Sequence, residues 1–307
     1  MKQAKTNFGS QIIILCVAAV IALPVRVYQY LHLIDGTSGF YNTWVNPTVF
    51  GLYGLCALVI ILIIALSVKG SKKTLYAMPS GKRKGLGIAA AAFALSFLIE
   101  SGYNAYRAAM IAGGTLQVEQ LVLGDRVGKP TMAFTVLQVV FGLLSAAFFA
   151  AFAVSCFSGK EQYKKVRLMA AAPVLWAIAR LMIDFTQTIS YRYVSELLFD
   201  LFAVIFFAMF AIAFAKMCAG MLQARIQMRI FAYGMLASFF ALLSAVPRYI
   251  MLLMGRQDLL FRQSAVFEVT DLVIPIFVMM AVFAIASQKQ YKSVEEYAEK
   301  GEGEETE

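Results

Sequence analysis

Eight long apolar stretches occupy most of this 307-residue chain, and each could cross a membrane as a helix. A helix rises about 1.5 Å per residue, so roughly 20 apolar residues cover the hydrocarbon core of a bilayer, which is about 30 Å thick. Lipid cannot hydrogen-bond the backbone, so stretches that are apolar on every face must be helices. The predicted spans are 11–33, 47–68, 86–112, 131–157, 168–188, 195–219, 231–254 and 267–287.

Composition supports the same class of fold. Hydrophobic residues make up 61% of the chain and charged residues only 15%, whereas soluble domains are about half apolar and a quarter charged. We therefore predict an all-α integral membrane protein whose residues 1–288 form an eight-helix transmembrane bundle. Pro47-Thr48 and Pro130-Thr131 open the second and fourth spans alike, which favours the further hypothesis that the bundle consists of repeated helical hairpins.

Basic residues predict the orientation, because short loops rich in Lys and Arg stay in the cytoplasm. Every Lys except Lys129 falls in one alternating set of connections and ends, of which 69–84 is the most basic. Both termini are then cytoplasmic, as an even number of spans requires. The first span lacks a cleavage site before its polar end and is expected to stay attached. We expect a multi-pass protein of the cell membrane, in a bacterium the plasma membrane.

The composition of the chain becomes strongly acidic near its C-terminal end. Seven of its 18 acidic residues lie within 295–307, together with two glycines and few residues that could form a core. Such a composition is typical of disorder. We predict that 289–307 is an acidic, disordered cytoplasmic tail.

Ionisable residues within the spans are the candidate functional residues, because each costs about 2.5–3.5 kcal/mol at mid-helix unless it is paired or hydrated. Counted along the helices, they lie at a similar depth in the outer half of the bundle. Glu100 with Arg107, and Arg180 with Asp184, share helix faces and are expected to pair. The candidate ligand-binding residues are Arg26, Glu100, Arg107, Arg180, Asp184, Glu196, Asp200, Arg248, Glu268 and Asp271.

Two functions of different classes fit this pattern. In the first, the charges line a cavity that binds or transports a small polar or charged solute. Arg26, Arg180 and Arg248 would contact anionic groups, while Asp184 and Asp200, with Asp271, would pair or carry a proton. In the second, the protein is a noncatalytic scaffold or sensor that engages a cytoplasmic partner, and the charges only fix helix register.

Other classes of function find little support in the sequence. One histidine and four scattered cysteines predict neither a metal site nor a disulfide framework. Nucleotide and dinucleotide fingerprints are absent, so we expect no cofactor. The net charge of +9 is explained by cytoplasmic loops that face anionic lipid, so we expect no nucleic-acid partner. An intramembrane enzyme using Glu100 or Asp200 as acid or base is a third, less favoured reading.

Overall fold

A computed structural model describes residues 2–34, 41–42, 46–71, 75–76, 81–113, 129–186, 194–221, 224–256, 267–288 and 290–291. Within these ranges the chain forms eight α-helices. They are α1 (Lys2–His32), α2 (Pro47–Ser71), α3 (Lys84–Ala112), α4 (Lys129–Ser158), α5 (Ala172–Thr186), α6 (Val194–Cys218), α7 (Ala224–Leu253) and α8 (Thr270–Ala286). The prediction of an all-α bundle of eight helices is confirmed.

Seven of the helical segments in the described chain are long and apolar enough to cross a membrane, and α8 is shorter. Its 17 residues correspond to about 25 Å of helix. Outward-facing side chains such as Val20 and Ile61 are 73% and 67% exposed, and an exposed apolar belt of this kind is stable only against lipid. The molecule is a polytopic membrane protein.

Helix α7 lies at the centre of the bundle. It packs against α1, α2, α6 and α8, and 78% of its apolar window is buried, compared with 28% for α1 and 22% for α2. The hairpin partners α1–α2, α3–α4, α5–α6 and α7–α8 are all in contact. Whether these hairpins arose by duplication stays a prediction.

The first predicted span begins nine residues after α1 does, whereas the fifth and eighth begin before their α-helices. The fifth begins as a 3₁₀ helix, Gln162–Ala171, in which Val166 leaves helical geometry (φ −115°, ψ 25°). The α-helix starts one residue before Pro173, because proline lacks a backbone N–H and fits only the first turn. The eighth helix begins at Thr270, so Glu268 precedes it and Asp271 lies in its first turn.

One end of the bundle, here called the basic end, joins residues 81–84, 156–164 and 284–291. Leu75–Tyr76 (β1) pairs antiparallel with Gln290–Tyr291 (β2), and Arg83 Nη1 donates to Ser287 Oγ at 2.9 Å. The connection after α2 and the segment after α8 therefore lie at the same end, as the predicted topology requires. Residues 289 and 292–307 of the predicted tail lie outside the described residues, as do both chain termini.

An aromatic core fills the middle of the bundle. Phe93 packs against Phe149 in a tilted arrangement and stacks on Phe277, with ring centroids 4.6 and 4.9 Å apart. Phe207 and Phe214 extend this contact into α6. Phe277 follows Asp271 by six residues, or about 9 Å of helix. The aromatic core therefore lies between the charged start of α8 and the basic end.

Candidate functional site

Two buried arginines organise a network of charged side chains in the half of the bundle away from the basic end. Arg180 comes from α5 and Arg248 from α7, and each lies about two turns or less from the end of its helix. Their partners come from the start of α6 and the start of α8. We call this set the charged network, and its members are Arg180, Glu196, Asp200, Arg248, Glu268 and Asp271.

Arg180 binds Asp271 through both ends of its guanidinium group. Nη1 lies 2.7 Å from Oδ1 and Nη2 lies 2.7 Å from Oδ2, while Nη2 also donates to Glu268 Oε2 at 3.0 Å. A planar guanidinium matches a carboxylate in this two-bond arrangement, which is stronger than a single charged hydrogen bond. The pair ties α5 to α8 across 91 residues of sequence.

Arg248 is shared among the carboxylates of two other segments. Nη2 lies 2.9 and 2.7 Å from the two oxygens of Asp200, and Nη1 lies 3.2 Å from Glu268 Oε2 and 3.3 Å from Asp271 Oδ2. Its Nε lies 3.5 Å from Glu196 Oε1. Arg248 therefore connects α6 and α8 through α7, the central helix.

The network is enclosed. Arg248 and Asp271 are each 1% exposed and Glu196 3%, and the Glu268 side chain, at 18%, is the most exposed of the six. Buried charges persist only where opposite charges and hydrogen bonds compensate for lost hydration. Glu268 lies at the rim of the network, since its Oε2 accepts from both arginines while part of the side chain remains accessible.

Arg26 has a different environment. Its guanidinium carbon lies 4.6 Å from the ring centroid of Tyr30 and 5.0 Å from that of Phe199. Nη1 donates to Gln29 Oε1 at 3.1 Å and to the Tyr41 hydroxyl at 3.0 Å. Arg26 therefore joins α1 to α6 next to Asp200, mainly through aromatic faces and neutral oxygens.

The remaining candidates, Glu100, Asp184 and Arg107, are not members of the charged network. Glu100 is 1% exposed and accepts from Gln138 Nε2 at 3.1 Å. Asp184 is buried and Arg107 half-buried. The expected pairing of Arg180 with Asp184 is wrong, because Arg180 turns to α8 instead. Glu100 accepts from the side-chain amide of α4 named above. Arg107 follows Glu100 by two turns of α3, or about 10 Å along the helix.

Three polar residues near the charges were not identified as candidates from the sequence. Ser244 donates a very short hydrogen bond to Asp200 Oδ1 and accepts from Arg248 Nη2 at 3.1 Å. Gln138 and Thr270 lie beside Glu100. A signal existed for Ser244, which precedes Arg248 by four residues and so shares its helix face, and for Gln138, the one amide in α4.

The chemistry available here is hydrogen bonding and charge pairing. Among the described residues, no group of three or more His, Cys, Asp or Glu is arranged to hold a metal ion. The network acids accept hydrogen bonds from, or face, the N–H groups of Arg180 and Arg248.

Comparisons with family models, curated proteins and solved structures find no match to this chain.

Proposed function

We propose that the protein binds a small organic cation, an amine or guanidine, at the rim of the charged network. The observation that carries this proposal is the state of the two arginines. Both guanidinium groups are already engaged by carboxylates, so neither presents an open fork to an anionic solute. The contacts therefore favour a cationic ligand, whereas the arginines alone would predict an anionic one.

The carboxylates favour nitrogen donors. In the described part of the chain, four carboxylates surround two guanidinium groups, and each accepts or faces an N–H. An incoming ammonium or guanidinium group could replace an arginine N–H as the donor in some of these hydrogen bonds, with the same donor geometry. Glu268 is the expected point of entry because it is the most exposed member and lies between Arg180 and Arg248.

An aromatic pair marks the same rim. Tyr103 of α3 stacks on Phe267 with ring centroids 4.1 Å apart, and Phe267 directly precedes Glu268. Aromatic faces attract organic cations, so this pair would complement the carboxylate. The aromatic core separates the network from the basic end, which supports binding from one side of the membrane more than passage across it.

A noncatalytic scaffold or sensor is the second candidate. The two-bond pairing of Arg180 with Asp271 supports it, because such a bond fixes the rotation of α5 and α8 without any ligand. In this reading the charges hold the bundle together and the function resides at the basic end.

Ligand-dependent thermal stability separates the two candidates. The purified chain is heated in detergent with methylammonium or methylguanidine at ionic strength held constant with potassium chloride, and in parallel with acetate or phosphate. A ligand at 100 times its Kd stabilises the folded state by about 2.7 kcal/mol. Binding to the network predicts a rise in Tm with the organic cations and none with the anions.

Two variants locate the effect. Glu268→Gln should abolish the stabilisation by organic cations, whereas Glu161→Gln, which alters an exposed carboxylate paired with Lys164 at the basic end, should retain it. Stabilisation by anions, or an unchanged cation effect in Glu268→Gln, would overturn the proposal. Lack of any ligand effect in the unmodified protein would favour the scaffold.

A further inference from the structure

Glu100 differs from the carboxylates of the charged network in the partners it has. Its Oε1 accepts from the Gln138 amide, and its Oε2 is buried with no hydrogen-bond partner among the described atoms. Asp200 and Asp271, by contrast, each bind a guanidinium group through both oxygens. Among the described residues, the hydrogen bond of normal geometry that Glu100 accepts therefore comes from a neutral amide, and the acid is fully enclosed.

The charged groups around Glu100 do little to compensate a negative charge on it. Arg180 of α5 acts on Glu100 through space, but its guanidinium is occupied by Asp271 and Glu268. Those two acids and Tyr249 of α7 also act on Glu100 through space. Two acids and one shared arginine give an ionised Glu100 little net compensation.

Two further oxygens near Glu100 lack hydrogen-bond partners. Thr270 Oγ1, in the first turn of α8, lies beside the carboxylate without a hydrogen bond of normal geometry. Ser101 Oγ, on the next residue of α3, is also buried and unbonded, and it packs against Gly142 of α4. A hydrogen bond between Glu100 Oε2 and Thr270 Oγ1 would satisfy both atoms, and in the neutral form of Glu100 its own proton is the donor.

We propose that Glu100 is a proton-binding site, held as a neutral carboxylic acid within the bundle. The proton adds to Oε2 of the carboxylate and forms the O–H bond that donates towards Thr270 Oγ1, while Oε1 keeps the bond from Gln138. No other reactant is needed, since the proton comes from water. Neutralisation removes the cost of a buried charge that has no cation of its own.

This site stands independently of cation binding at the network rim. An ionised Glu100 that paired with Arg180 would compete with Asp271, which binds this guanidinium through two bonds of 2.7 Å. The neutral form leaves that pair intact. Glu100 and the charged network are thus neighbouring sites with different ligands, a proton at one and nitrogen cations at the other.

Infrared spectroscopy of the full chain in lipid nanodiscs tests the proposal. A protonated, enclosed carboxyl group has a C=O stretching band that ionised carboxylates lack. At neutral pH we expect this band in the unmodified protein and its loss in Glu100→Gln, with the band retained in Glu161→Gln. Isotopic labelling of glutamate with ¹³C should shift the band, which excludes the network aspartates, and retention of the band in Glu196→Gln and Glu268→Gln excludes the network glutamates.

Two results would overturn the proposal. The first is a carboxylic-acid band that is absent, or that is insensitive to both Glu100→Gln and ¹³C-glutamate. The second is stabilisation by sodium over potassium that Glu100→Gln removes, because the same oxygens would then hold a metal cation. Methylammonium stabilisation measured in Glu100→Gln reports on the network separately, so the two proposals can fail independently.

Discussion

Arg26 is buried against the aromatic rings of its neighbours, and this makes the identity of the cation important. The guanidinium lies against Tyr30 and Phe199 and donates to Gln29 and Tyr41. A planar, weakly hydrated guanidinium suits such stacking, whereas the compact lysine ammonium is strongly hydrated and cannot make the same fork of bonds.

Arg26→Lys should therefore lower the free energy of unfolding by about 1–2 kcal/mol, although the charge is unchanged. The matched control is Arg225→Lys on the exposed start of α7, which should stay within about 0.5 kcal/mol. Unfolding in mixed micelles measures both. Equal effects of the two substitutions would mean that the aromatic contacts of Arg26 contribute nothing.

Which residues would form the network could be predicted only in part. The depth of Arg180, Asp200 and Arg248 follows from hydropathy and helix rise, and the structure brings these residues together. The partner of each arginine could not be predicted, because it depends on how each helix is rotated about its own axis. The partners of Arg180 are 88 and 91 residues away, and no local spacing encodes that contact.

The close contact among α6, α7 and α8 depends on one glycine. A Cβ at Gly234 would lie 3.0 Å from Val278 Cγ1, 3.1 Å from Phe210 Cδ2 and 3.2 Å from Val282 Cγ2. These neighbours are packed side chains with little room to move. A small residue here lets the helices approach, as at many helix contacts in membranes.

Gly234→Ala should accordingly destabilise the protein by about 1–3 kcal/mol, as overpacking does in other cores. Adding Val278→Ala should recover part of the loss. Gly102→Ala is the control, because a Cβ there meets nothing within 4 Å. It should be neutral or stabilising by up to about 1 kcal/mol, since alanine favours helix. A drop in Tm for Gly102→Ala equal to that of Gly234→Ala would contradict the packing argument.

The sequence predicts which segments are helical more accurately than it predicts the residues at which each helix begins and ends. The apolar runs identified all eight helices, because the need to satisfy the backbone in lipid leaves no other structure. The start of α5 was missed because hydropathy does not register that Pro173 restricts the turn before it. The end of α1 at His32 was nearly correct, but its start lies at Lys2, since a helix continues beyond the apolar run wherever propensity allows.

The whole molecule has two chemically different ends separated by an aromatic core. The charged network and Glu100 lie towards one end, and the basic end gathers the segments before α3, after α4 and after α8. Arg83 N donates to Cys156 O at 2.8 Å, which joins two of these segments directly. Ligand binding and contact with a cytoplasmic partner would then take place on opposite sides.

Labelling from one side of the membrane checks this arrangement. In a variant without Cys16, Cys56, Cys156 and Cys218, single cysteines replace Lys160, Ser287 or Met254. Positions 160 and 287 should react with an impermeant maleimide only after the cells are opened, and position 254 should react in intact cells. Labelling of 160 and 287 from opposite sides would be inconsistent with the packing of the basic end.

The account depends most on the charged network, and a double-mutant cycle between Arg180 and Asp271 tests it most directly. Each of Arg180→Gln and Asp271→Asn should lower the free energy of unfolding by about 3–5 kcal/mol, because each removes the two-bond partner of a buried charge. The double variant should lose at least about 1.5 kcal/mol less than the sum. The exposed pair Glu161–Lys164 should show a coupling below about 1 kcal/mol. Additive losses at Arg180 and Asp271 would contradict the network.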